Sequence, residues 1–97
     1  VVYRLDHKSA SFLFLGDCRD TCFEKIRGNY IKAGVLSAYG FVSQEIIDAV
    51  SPRIIVYDTI GNETIRPAGV SVYSRDEGAV LIISDGEKYF ISTLGKA

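Results

Sequence analysis

Residues 12–20, FLFLGDCRD, deliver a carboxylate, Asp17, directly after an apolar run and a glycine, and just before a polar segment of helical character. An aspartate at such a junction serves two chemistries. Its oxygens can ligate a divalent cation, or they can accept backbone N–H bonds as the N-cap of the next helix, where the charge meets the positive end of the macrodipole. Capping needs only what stands beside Asp17, whereas ligation needs further donors from elsewhere.

Few other residues offer chemistry. His7 is the single histidine and sits in a polar connection, HKSA, where exposure to water is the ordinary state. No Ser/His/Asp or Cys/His constellation follows from one imidazole so placed, and no catalytic residue is assigned. Cys18 and Cys22 form a C-x3-C spacing that stacks both sulfurs on one helical face instead of making a compact chelate. They read as small buried apolar residues, with a redox or metal role as the alternative. Asp58, at the end of the apolar run RIIVYD, Asn62 in the following GNE break, and Tyr39 in SAYG are candidates for lining a cleft, since sites in α/β sheets gather at strand carboxyl ends. Turn-forming residues carry the same signature.

The elements that would position these groups follow from periodicity. VVYRLD and SFLFL read as an antiparallel strand pair, the second covered on both faces because it is almost continuously apolar. Cys18, Cys22, Phe23 and Ile26 then recur at helical spacing, with Gly28 placed to end the helix. AGVLSAYG is a short strand leading into a loop. SQEIIDAVSP is a second helix, capped by Ser43 and closed by Pro52, with Ile46, Ile47 and Val50 inward. RIIVYD is a buried strand of parallel character, and the tail GVSVYS, AVLIIS and KYFIST is all strand, with turns at RDEG and at Asp85–Gly86. The order β-β-α-β-α-β-β-β-β describes an α+β, layered α/β domain: one mixed sheet with two helices on one face. Its other apolar face is left without a partner.

Composition bounds the function classes. Ninety-seven residues with 47% hydrophobic content form one small domain, residues 1–97, with one modest core. Eleven basic and twelve acidic residues leave a net charge of −1, so there is no electrostatic footprint for DNA or an anionic membrane. No apolar run approaches the roughly 18–20 residues of a membrane span, and no signal-peptide pattern is present. The chain starts at Val1 and has no methionine, which suggests a fragment or a processed product.

In this order, SFLFLGD, KAGVLSAYG, SQEIIDAVSPRIIVYDTIGN and AGVSVYSRDEGAVLIISDGEKYFIST resemble the C-terminal half of the metallo-β-lactamase superfamily, and within it the hydrolase-like domain of ComEC-type DNA-uptake (competence) proteins. The resemblance covers almost the whole chain. It implies half of an αββα sandwich, whose missing half would cover the open sheet face. It also implies that Asp17 occupies the position of a metal-binding aspartate in a metal-assisted hydrolase. The family's HxHxDH cluster belongs to the half this chain lacks, and SAYGFVS stands where relatives carry a His-His-Gly-Ser loop. ETIRP, between Asn62 and Ala68, replaces a longer segment that in relatives contains another helix. One carboxylate does not hold a four-coordinate zinc. The expectation is a degenerate module with no cofactor of its own, and zinc or manganese only where a second segment completes the site. The expected partner is a second copy or the missing N-terminal half. A completed phosphodiesterase or nuclease is the alternative, and DNA is a further partner that the charge does not favour.

Overall fold

The computed structural model describes residues 2–16, 22, 24, 31–40, 42–61 and 64–95. Among the described residues there are seven strands: β1 (Tyr3–His7), β2 (Ala10–Gly16), β3 (Val35–Ala38), β4 (Ile54–Tyr57), β5 (Ser71–Ser74), β6 (Gly78–Ser84) and β7 (Tyr89–Gly95). Helix α1 (Gln44–Val50) lies between β3 and β4. The fold is mixed α/β and mainly sheet. The first expected helix lies outside the described residues except for Cys22 and Glu24, both of which have helical backbone. Cys22 is disulfide-bonded and packs against the core, which corrects the expectation of a plain buried thiol.

The first five strands form one sheet in the order β1-β2-β3-β4-β5, with β1 antiparallel to β2 and the other pairs parallel. Alternation along each strand divides its residues between two faces. Leu13, Leu15, Leu36, Ala38, Ile55 and Tyr57 point to one side, where Ile46, Ile47 and Val50 of α1 complete the main core. The helix begins at Ser43, whose Oγ accepts the Ile46 N–H at 3.3 Å, and stops at Ser51, left-handed at φ 51°, before Pro52. Ser43→Ala is expected to lower stability by about 1 kcal/mol, the usual value of a hydroxyl cap, read as a shift in urea midpoint at unchanged m-value.

Parallel strands need a crossover, usually a helix. Between β4 and β5 the described residues contain no helix; instead Ile60, Ile65 and Val70 lay the connection onto the core. The Tyr57 hydroxyl donates to the Ile65 carbonyl at 2.9 Å, and the Thr64 hydroxyl to the Gly40 carbonyl at 3.0 Å.

The second face departs from the single-sheet expectation. After β5 a 3₁₀ turn, Arg75–Glu77, and Gly78 at φ 128° carry the chain off the sheet edge. β6 and β7 then pair only with each other, as an antiparallel hairpin. Val80, Ile82, Tyr89 and Ile91 of this hairpin pack on Val35, Ile54 and Val56, with Phe12 and Tyr73 alongside. The same chain therefore supplies part of the layer that the sequence left missing. The reason is the alternation of β6, whose inward set is apolar enough to bury and cannot do so in line with β5.

Two polar clamps fix the hairpin. Its tip is stitched to the β1–β2 turn, because the Gly86 carbonyl accepts from Ser9 N–H at 2.8 Å and from the Ser9 hydroxyl at 2.7 Å. Farther along, the Tyr89 hydroxyl accepts the Ser11 N–H at 2.9 Å and donates to the Ser11 carbonyl at 3.3 Å, while its ring stands edge-on to Phe12. In the turn, the Asp85 carboxylate accepts the N–H groups of Lys88 and Glu87, both at 2.8 Å, and these bonds hold its pKa below the usual value.

Candidate functional site

The carboxyl ends of the parallel strands are level: Gly16 is in register with Ala38, Ala38 with Tyr57, and Tyr57 with Ser74. The next residues therefore meet at one edge. Tyr39 donates its N–H to the Gly16 carbonyl at 2.9 Å, and Asp58 donates its N–H to the Ala38 carbonyl at 3.0 Å. The structure thus brings Tyr39 and Asp58 together. Asp17 and Asn62, the other two candidates, lie outside the described residues.

This edge offers little reactive chemistry. The Asp58 carboxylate accepts from the Arg75 guanidinium at 2.9 Å, so it is engaged as an exposed ion pair. Asp76, in the same turn, accepts the Ile60 N–H at 2.9 Å and holds the crossover against β5. Tyr39 is half exposed. His7 stands at the other end of the sheet: it pairs with Ala10, six residues along β2 from Gly16, which is about 20 Å at the rise of a strand. Among the described residues no three His, Cys, Asp or Glu side chains gather as a cation site.

Tyr57 is a buried phenol whose titration is displaced. Its ring is fully covered, and burial raises its pKa above 10.0, with Arg66 opposing slightly. The folded state holds the proton more tightly than the unfolded chain does. Its contribution is therefore constant below pH 10 and is lost as the pH rises from there through the folded pKa. Unfolding midpoints measured from pH 8 to 11 are expected to fall on the alkaline side, and Tyr57→Phe should remove that part of the slope.

The surface that stands out lies on the hairpin side of the sheet. β6 passes over the middle strands and leaves Leu5 and Phe14, on the β1–β2 side, uncovered. The resulting groove of about 430 Å³ is floored by Leu5, Phe12 and Phe14 and walled by Leu81 and Ile82. Phe12 and Phe14 stack at 6.4 Å between ring centroids. Beside the groove the outward residues of the hairpin are also apolar: Leu81 and Ile83 of β6, with Phe90 of β7 in register with Ile83. The sequence reading named none of these residues as a site. Their signal was present as the unbroken apolar run of AVLIIS, longer than one buried face needs, and as the excess apolar content of SFLFL.

A layered α/β domain, helix on sheet on hairpin, is the class these features define. No protein-family model matches the chain, and neither a curated protein nor a solved structure matches it.

Proposed function

We propose that this chain is a non-catalytic, degenerate metallo-β-lactamase-like half-domain with a structural or interaction role, of the kind found in ComEC-type DNA-uptake proteins. It would complete half of an αββα sandwich, its partner being a second copy or a separate N-terminal half. The observation that carries this reading is the unfinished second layer. A two-stranded hairpin covers only part of a five-stranded sheet and leaves Leu5 and Phe14 exposed beside a groove. An apolar face of this kind marks an interaction site.

The alternative is a metal-dependent phosphodiesterase whose remaining ligands come from another segment or subunit. It is favoured by the meeting of Tyr39 and Asp58 at the strand edge next to Gly16, where the resemblance places a metal aspartate.

Two measurements separate the readings. The purified chain, incubated with zinc or manganese, is expected to cleave a phosphodiester reporter only at background, and to bind an apolar dye or form a stable assembly. Metal-dependent cleavage abolished by Asp17→Asn would establish the enzyme instead. A monomer that binds no dye would remove the basis for an interaction module.

A further inference from the structure

We infer that the occupant of the groove is a second copy of this chain, docked so that the hairpin ridge of each copy seats on the β1–β2 floor of the other. The inference rests on the interaction-module reading above and names its partner. Three observations carry it.

The first is placement. Tyr3 and Leu5 lie on the same face of the sheet as their register partners Phe14 and Phe12, the face on which the hairpin packs. The floor therefore looks outward in the direction to which Leu81, Ile83 and Phe90 also point. A convex apolar ridge and a concave apolar floor, side by side and facing the same way, match each other under one two-fold axis, with ridge on floor twice.

The second is charge. β6, GAVLIIS, contains no charged residue and no proline, the usual devices that keep a strand from pairing with a neighbour. Among the described residues that line the groove, Arg75 is the only charged one, and it is already paired with Asp58. The ridge and floor residues Leu5, Phe14, Leu81, Ile83 and Phe90 bring no charge of their own to a self-contact.

The third is area. Leu5 is 55% exposed, Phe14 39%, Leu81 47%, Ile83 55% and Phe90 54%. With 150–250 Å² for a whole aromatic side chain, these five present on the order of 450 Å² of apolar surface per copy. A standard interface buries roughly 800 Å² per partner, about 65% of it apolar in homodimers, so ridge and floor come close to the requirement.

The test uses the whole chain in sedimentation velocity from about 1 to 100 µM, the range in which a dimer of about −8 kcal/mol assembles. The wild type is expected to dimerise. Leu81→Lys, on the ridge, and Leu5→Glu, on the floor, are each expected to raise the dissociation constant at least tenfold while far-UV circular dichroism stays unchanged. An equimolar mixture of the two is expected to dimerise again, because one contact then pairs opposite charges and the other is wild type. Should either variant fail to fold, a photo-crosslinker in place of Phe90, which lies outside the groove of its own copy, supplies the reading instead: its adduct should join two copies at β1 or β2. A wild type that stays monomeric yet binds dye would overturn the second copy as partner and leave the interaction reading standing. A dimer that the mixture does not restore, or an adduct elsewhere, would overturn the ridge-on-floor arrangement.

Discussion

Ile55→Ala is expected to be among the most damaging truncations in the main core, lowering stability by about 2–5 kcal/mol. Ile55 is fully buried at the centre of β4, in register with Leu36 of β3 on one side and Val72 of β5 on the other. It belongs to the same cluster as Ile46, Ile47 and Val50 of α1. Removing its branched side chain takes away apolar burial and leaves a cavity between two rigid elements that cannot both close on it. For a domain of this size each kcal/mol moves the thermal midpoint by roughly 4–8 °C, so calorimetry should record a fall of about 8 °C or more. The control is Ile83→Ala on the outer side of the hairpin, expected within about 0.5 kcal/mol for the isolated chain. Equal losses at the two positions would contradict the packing described.

Gly34→Ala is expected to loosen the hairpin from the sheet, at about 1–3 kcal/mol, the cost of overpacking a filled site. A Cβ at Gly34 would run into the Tyr89 hydroxyl and lie 2.8 Å from its ring Cζ. The ring has little room to give way, because Phe12 meets it edge-on and Ser11 holds its hydroxyl. The Gly34 N–H itself donates to the Ser11 hydroxyl at 3.0 Å, so the same substitution disturbs both partners of the clamp. Tyr89→Phe alone loses the hydroxyl bonds, at about 1 kcal/mol. Combined with Gly34→Ala it also removes the nearer of the two clashing atoms, so the double variant should be less destabilised than the sum of the singles, by about 0.5 kcal/mol or more in a double-mutant cycle. Strict additivity would mean that Tyr89 does not bridge hairpin and sheet. Hydrogen exchange offers a second readout, with faster exchange in β6 and β7 than in β3 and β4.

Much of the element order was legible in the sequence because it is written in local periods. The seven strands and α1 lie close to where alternation, apolar runs and the Ser43 and Pro52 signals put them. The parallel character of β4 was also legible, since a strand buried on both faces needs apolar residues at every position, as in IIVY. The crossover after β4 was not legible. It is held by Ile60, Ile65 and Val70 and by two hydroxyl-to-carbonyl bonds, none of which has a period. At the candidate site, the meeting of Tyr39 and Asp58 followed from the expectation that strand ends align. The capture of Asp58 by Arg75, seventeen residues away across a turn, did not.

What the sequence determined by itself was the set of elements and the absence of a second imidazole to accompany His7. Backbone conformation and the types of residue available are local properties, fixed residue by residue. Only the tertiary structure decided that the last two strands leave the main sheet and fold back over its open face, and that His7 and the strand ends stand at opposite edges. Both outcomes depend on which apolar surfaces find each other across long stretches of chain. They also leave Leu5 and Phe14 on the floor and Leu81, Ile83 and Phe90 on the ridge exposed to solvent.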